Sequence, residues 1–291
     1  MFPMVTESRF AGLTGFIKNL LQQENPTDVS NLITQIYKEM KTLEEDGGRG
    51  PLDPQMEEYA VELWNWGVTK RGEEAITEME RSMVRHVACN LACWCEGSNQ
   101  LETSLERNSL MAMKTGKGWI DVGKPERANV FLEIALNSLE KLYSMKIQRS
   151  ALDTDMNSHK DWVEAEVFKV LTYQTEAAVA QKDFQVASSR IQRCKDMLLT
   201  QPNKAPLLSI LCYNCGVEMY EGKEYEQSTF WLRQSCDISK ADVRYTAGDE
   251  MEAKVLRLLA TVYLEWDCKL HQDKALNAVA LANEVNAKNI Q

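Results

Sequence analysis

Apolar residues recur at intervals of three and four along most of the chain, which is the spacing that places them on one face of an α-helix. Two such stretches occupy residues 10–45, and they carry Phe10, Leu13, Phe16, Ile17, Leu20 and Leu21, then Val29, Leu32, Ile33, Ile36, Tyr37 and Met40. Between them, Asn25-Pro26-Thr27-Asp28 combines a helix stop with a fresh N-cap. The pattern predicts two amphipathic helices, and the strict alternation that marks strands does not occur elsewhere in the sequence.

A glycine-rich loop at 46–51 follows these helices. Asp53 and Pro54 then make a favourable helix start, because aspartate caps free N–H groups and proline is tolerated in the first turn. Helical spacing continues over 56–68 and over roughly 74–95. We interpret residues 1–100 as N-terminal helical hairpins that are degenerate repeats.

From about residue 101 the pattern becomes repetitive. Each unit has a small residue in a first helix, helix A, and two small residues in a second helix, helix B, with a large apolar residue between those two. The units carry Gly116, Trp119, Ala128, Leu132 and Ala135; Thr175, Ala178, Ala187, Ile191 and Cys194; Gly216, Tyr220, Ser228, Leu232 and Ser235; and Ala260, Tyr263, Ala275, Val279 and Ala282.

Small residues at these places let the two helices of a hairpin cross closely. Residues 101–291 are therefore predicted to form four tetratricopeptide-like repeats. The predicted fold class is all-α, a right-handed tetratricopeptide-like superhelical solenoid of antiparallel helix pairs. The fourth repeat needs a turn lengthened by about three residues around Cys268–Gln272. No polar capping helix closes it, so we expect the chain to be part of a longer solenoid.

The chain carries a formal net charge of −10. An acidic protein is poorly suited to direct nucleic-acid binding, which requires a basic surface to displace counterions. No run of about 18 apolar residues is present, so no membrane span is predicted. The N-terminus lacks the features of a signal peptide, and the eight cysteines are therefore expected to be free thiols in a reducing, intracellular compartment.

Two constellations suggest chemistry. Cys212-x-x-Cys215 has the spacing of half a metal or redox site, but the repeat register places both thiols towards the core, which favours small buried hydrophobes. His86 and Cys89 lie three apart on one helix, so a Cys–His nucleophile is an alternative to a packed helix. We predict no catalytic residue, metal, cofactor or small-molecule substrate.

The binding surface of such repeats is the concave face lined by the A helices. Counting from the small residues of helix A, the candidate protein-binding residues are Lys114, Lys117, Lys169, Glu176, Tyr213, Asn214, Tyr220, Lys254 and Arg257, with Asp121 and Glu265 on the same face. The basic residues among them could meet an acidic peptide, and a solvated helix face is the alternative.

Three segments carry a resemblance to a known family. They are Leu63-Trp64-Asn65-Trp66-Gly67-Val68-Thr69-Lys70-Arg71, then Arg85-His86-Val87-Ala88-Cys89, and Met113-Lys114-Thr115-Gly116-Lys117-Gly118-Trp119. With them the chain resembles, from about residue 30 to its end, the meiotic crossover scaffold family of Zip-four or Spo-twenty-two in yeast and testis-expressed protein eleven in vertebrates.

This resemblance implies a long tetratricopeptide solenoid on meiotic chromosomes in the nucleus. It implies a non-enzymatic scaffold that binds other crossover factors and synaptonemal complex proteins, and thereby promotes crossover formation and synapsis. The alternative is a generic tetratricopeptide adaptor that binds an acidic peptide in another intracellular complex, because fold alone does not give function.

Overall fold

The computed structural model describes residues 4–22, 28–47, 54–70, 76–95, 101–149, 156–239 and 248–288 of the chain. Within these ranges the regular structure is helical and contains no strand. The helices are α1 (Met4–Gln22), α2 (Val29–Glu45), α3 (Pro54–Thr69), α4 (Glu78–Trp94), α5 (Glu102–Asp121), α6 (Pro125–Arg149), α7 (Met156–Ala180), α8 (Phe184–Met197), α9 (Ala205–Glu221), α10 (Tyr225–Ser239) and α11 (Gly248–Lys288). The predicted all-α class is confirmed. None of the helices in the described ranges has an apolar stretch that could cross a bilayer.

The helices form two compact units, unit 1 (Met1–Tyr173) and unit 2 (Gln174–Gln291). In unit 1, α1 packs on α2 and α3, α4 packs on α2, α3 and α5, and α5 packs on α6. In unit 2, α9 packs on α10, and α10 packs on α11. The boundary between the units falls within α7. The division predicted at residue 100, between degenerate and regular repeats, stays a prediction. The right-handed sense of the predicted superhelix also stays a prediction.

Side-chain caps fix where several helices begin. The Oδ1 atom of Asp28 accepts a hydrogen bond from the backbone N–H of Asn31 at 3.1 Å, as predicted for this N-cap. Thr77 and Glu80 form a capping box at the start of α4, in which each side chain bonds the other residue's backbone N–H. Asp183 caps α8 in the same way as Asp28 caps α2. The loop at 48–51 and the capping position Asp53 lie outside the described residues.

Three hairpin turns share one backbone geometry. Gly123, Lys182 and Lys223 have positive φ angles of 69°, 58° and 59°. In each turn the N–H of the next residue bonds a carbonyl five residues earlier, at 2.8 Å in all three. This is the Schellman motif, which satisfies the last carbonyl groups of a helix while reversing the chain. The sequence signal for it is absent at the two lysines, because glycine is the usual residue at positive φ.

The predicted close crossing of helices A and B is confirmed in two hairpins. A Cβ atom placed on Gly116 would lie 2.7 Å from Leu132, and one placed on Gly216 would lie 2.7 Å from Leu232. The α9–α10 crossing is also held by hydroxyl groups. Ser228 Oγ donates to the carbonyl of Gly216 at 2.8 Å, and Ser235 Oγ donates to the carbonyl of Ser209 at 2.8 Å. Because higher residue numbers in α9 meet lower ones in α10, the two helices are antiparallel.

The fourth hairpin departs from its prediction in two respects. The α11 span contains one non-helical residue, Asp267, with φ −159° and ψ 98°, and its Oδ1 atom accepts bonds from the N–H groups of Lys269 and Leu270 at 3.0 Å each. The predicted turn at Cys268–Gln272 is therefore wrong, because Asp267 caps a new helical segment that already includes those residues. The prediction that Val279 fills the helix crossing is also wrong, because its side chain is 42% exposed.

Candidate protein-binding face

The candidate residues of unit 2 come together on two neighbouring helices. Tyr213, Asn214 and Tyr220 lie on α9, and Lys254 and Arg257 lie on the first segment of α11, 248–266. Lys254 Nζ lies 4.9 Å from the centroid of the Tyr213 ring. The Tyr220 hydroxyl donates a hydrogen bond to Glu265 Oε1 at 2.9 Å. The pairs follow the same order along both helices, so the two A helices run parallel, as consecutive repeats require.

This surface presents a mixture of aromatic, polar and charged groups. Asn214, Lys254 and Arg257 are exposed, while Tyr213 and Tyr220 are half-buried. The Lys254 ammonium is placed to interact with the face of the Tyr213 ring, an attraction worth about 0.5–1 kcal/mol at exposed sites. The hydrogen bond to Glu265 raises the pKa of the Tyr220 phenol, because the carboxylate stabilises the protonated hydroxyl. These contacts bring the aromatic and charged groups of the two helices next to each other.

Two apolar residues of the same face were missed by the sequence analysis. Leu207 and Ile210 are 49% and 42% exposed, and they lie two turns and one turn, respectively, before Asn214 on the exposed side of α9. Their helical spacing from Asn214 is the sequence signal that could have identified them, because residues three, four and seven apart share one face of a helix. Hereafter the helix-A face of unit 2 means Leu207, Ile210, Tyr213, Asn214, Tyr220, Lys254 and Arg257.

The candidate residues of unit 1 are mostly engaged locally. Lys114 is exposed on α5, one turn before Lys117. Lys117 forms an ion pair with Asp121, and its Nζ atom lies 5.7 Å from the centroid of the Tyr173 ring. Lys169 forms an ion pair with the Glu166 carboxylate at 2.5 Å, and Glu166 is only 6% exposed. Two of the three lysines are therefore already neutralised by neighbours on their own helices, which weakens the case for an acidic ligand here.

Glu176 does not contribute a freely exposed carboxylate. It is half-buried on the part of α7 that belongs to unit 2. Burial is the main reason why the pKa of the Cys215 thiol is raised, and the charges of Glu218 and Glu176 add to it. Glu176 therefore lies close enough to the core of unit 2 to act on Cys215, and we do not include it in the helix-A face.

The interpretation of Cys212 and Cys215 as buried hydrophobes is confirmed. Their side chains are 0% and 4% exposed, and burial raises the pKa of both thiols well above the usual range. Cys194 belongs to the same interior, and burial raises its pKa to about 12. Because the thiolate is the reactive and metal-binding form, these groups are inert at neutral pH. Among the described residues no three His, Cys, Asp or Glu side chains are grouped to hold a metal ion.

His86 lies in a packed interior, as the packed-helix alternative to a Cys–His nucleophile predicted. It is 4% exposed, and its ring contacts those of Tyr37, Trp119 and Phe131 at centroid distances of 5.1, 5.8 and 4.7 Å. Its Nε2 atom lies 2.8 Å from Glu44 Oε1. Burial lowers the pKa of His86, although the Glu44 carboxylate opposes this shift. The nearby Cys89 is 0% exposed, so neither side chain faces a substrate.

The Glu44 network was not foreseen from the sequence. The same Oε1 atom that contacts His86 also accepts a short hydrogen bond from Asn90 Nδ2, and Lys41 pairs with the other oxygen at 2.6 Å. Burial would raise the pKa of Glu44, but the hydrogen bonds from His86 and Lys41 bring it below its usual value. Partners more than forty residues apart leave no local pattern in the sequence.

The exposed residues of unit 2 therefore suit binding to another protein, and the buried thiols and imidazole are structural. Residues 177–291 match the family described as meiosis protein SPO22/ZIP4 like. The match covers α8 to α11 and so includes the whole helix-A face of unit 2. The match agrees with the family that the sequence resembles, so residues 177–291 are similar to the SPO22/ZIP4-like meiosis protein family, while the three segments that carried the resemblance lie before the matched range.

Proposed function

We propose that this protein is a non-enzymatic scaffold in meiotic recombination. It promotes crossover formation and chromosome synapsis by binding other crossover factors and synaptonemal complex proteins on meiotic chromosomes in the nucleus. The observation that carries the proposal is the family match over residues 177–291, because the matched residues include every residue of the helix-A face of unit 2. DNA is reached through these partners, since the net charge of −10 opposes direct binding.

The helix-A face of unit 2 is the proposed contact surface. Exposed Leu207 and Ile210 offer apolar area, and Tyr213 offers a large side chain of low conformational entropy, which is a feature of energetically important interface residues. Lys254 and Arg257 add positive charge that sets orientation and association rate more than affinity. The two groups lie on adjacent helices that are tied by the Lys254–Tyr213 contact.

The test is a crosslinking pulldown from meiotic cells with the 291-residue chain as bait. Lys254→Glu/Arg257→Glu reverses the charge of the proposed face, and Lys223→Glu/Lys269→Glu makes the same charge change at exposed lysines outside it. We expect the wild type and the control variant to recover crossover and synaptonemal proteins, and the face variant to lose them.

Other outcomes are equally informative. Recovery that survives the face variant would keep the scaffold and reject this contact surface. Recovery of proteins from another intracellular complex, without meiotic factors, would favour the generic adaptor. Steeply salt-dependent binding of the purified chain to duplex DNA would contradict the proposal that DNA is reached through partners.

A further inference from the structure

Arg85 of unit 1 lacks, among the described residues, the kind of ion pair that neutralises Lys117 and Lys169. It is half-buried on α4, and its Cζ atom lies over the Trp64 ring of α3, 5.8 Å from the ring centroid. A Cβ atom placed on Gly118 of α5 would lie 3.6 Å from Arg85 Nη1. The guanidinium group therefore lies at the junction of α3, α4 and α5, bordered by an aromatic ring and a glycine.

The N–H donors of Arg85 find no acceptor within the part of the chain that the structure describes. Of its three nitrogen atoms Nε alone is fully buried, so Nη1 and Nη2 reach the surface. Arg81, one turn earlier on α4, is different, because it donates to two backbone carbonyls and to the Glu78 carboxylate. A half-buried charge without hydrogen bonds is unfavourable, so the packing of the chain alone does not account for Arg85.

The surroundings of Arg85 keep a net positive charge. Burial lowers the pKa of Arg85 and the charge of Arg81 adds to this, but a guanidinium stays charged at neutral pH. The carboxylates of Glu78 and Asp121 oppose the shift, and both are already paired with cations on their own helices. Lys114 is exposed on the neighbouring α5 and adds a further positive charge.

We propose that Arg85 and Trp64 form a binding site for a carboxylate side chain, aspartate or glutamate, of a partner protein. Nη1 and Nη2 present a planar pair of donors that matches the two oxygen atoms of a carboxylate. Gly118 leaves the space beside Nη1 free of a side chain. A phosphate group fits less well, because its second negative charge would approach the carboxylates of Glu78 and Asp121. The site belongs to unit 1, so the proposal does not depend on the helix-A face of unit 2.

The probe is the terminally blocked peptide Gly-Asp-Glu-Asp-Gly, titrated into the 291-residue chain labelled with ¹⁵N in arginine and tryptophan. The Arg85 Nε–H and Trp64 indole N–H signals report binding in NMR spectra, and their loss in Arg85→Met and Trp64→Phe assigns them. We expect both to shift saturably, with a Kd about tenfold lower than for blocked Gly-Asn-Gln-Asn-Gly, because hydrogen bonds between charged groups are stronger. The Arg107 Nε–H signal should not shift, since Arg107 is already paired with Glu57 at 2.7 Å.

Two variants separate binding from a structural role of the side chain. Arg85→Met keeps the apolar stem beside Trp64, so it should abolish the shift of the indole signal and raise the urea midpoint by removing an unpaired charge. Arg85→Lys keeps the charge without the planar donor pair and should weaken binding. The matched control is Arg107→Met, in which binding must persist.

Three results would overturn the proposal. The first is the absence of a saturable shift with the acidic peptide in the wild-type chain. The second is an indole shift that survives Arg85→Met. The third is tighter binding of blocked Gly-Gly-phosphoserine-Gly-Gly than of the acidic peptide, which would assign the site to phosphate instead of a carboxylate.

Discussion

Gly216 is the position where one added methyl group should be most informative. A Cβ atom there would lie 2.7 Å from both Cγ and Cδ2 of Leu232, closer than real Cβ contacts allow. Leu232 cannot move aside freely, because it is 0% exposed and packed in the α10–α11 cluster. Overpacking a tight site costs about 1–3 kcal/mol, and alanine offsets about 1 kcal/mol of this through its better helix propensity. Gly216→Ala should therefore lower the free energy of unfolding by up to about 2 kcal/mol.

Gly15→Ala is the matched control, because Gly15 also lies within a helix but has no atom within 4 Å of the added methyl position. It should raise the free energy of unfolding by about 1 kcal/mol. Urea unfolding followed by circular dichroism measures both variants, and hydrogen exchange shows whether the loss is confined to α9 and α10. In a double-mutant cycle, Leu232→Ala should cost less in the Gly216→Ala background than alone, because the clash has gone. Equal stabilisation by both glycine substitutions would refute the close-crossing argument.

Three further predictions concern the turns, the buried histidine and the thiols. Lys223→Gly should stabilise the chain by about 1 kcal/mol in urea unfolding, because glycine adopts positive φ without strain, whereas Lys223→Ala should bring no gain. Burial lowers the pKa of His86 in the folded state, so below about pH 6.5 the unfolded chain binds more protons and stability falls as pH drops. Comparing urea midpoints near pH 7 and pH 5, His86→Gln should show a smaller fall, and an unchanged fall would contradict this cause. Iodoacetamide should modify exposed Cys268 well before buried Cys212, as read by mass spectrometry, and equal rates would contradict the packing of α9.

Much of the fold followed from small residues and helical spacing. Gly116 and Gly216 identified the hairpin crossings because only a residue without a side chain fits against Leu132 and Leu232. The same reasoning wrongly predicted that Val279 is buried. The small–large–small pattern specifies the two helices of one hairpin, but it does not specify the neighbour that covers the large residue. The break at Asp267 was hidden for a similar reason, since a single capping residue can separate two helices without a loop.

The candidate binding residues were predicted less completely. Counting from the small residues of helix A assigned Tyr213 and Lys254 to one face, but it did not predict that the Lys254 ammonium lies 4.9 Å from the Tyr213 ring. It could not show that Lys117 and Lys169 are paired with Asp121 and Glu166. Pairs three and four apart are geometrically possible on any helix, and their formation depends on the surroundings of each side chain.

The shared turn geometry has a consequence for how such a protein can diverge. At Gly123, Lys182 and Lys223 the chain reversal is secured by backbone groups, so the reversal does not depend on a particular side chain. Mutations at these tips can therefore accumulate, at a cost of about 1 kcal/mol when glycine is lost, while the path of the polypeptide is preserved. The crossing points tolerate far less, because a methyl group at Gly216 already collides with Leu232. Mutational tolerance should thus rise steeply from the middle of each hairpin to its tip.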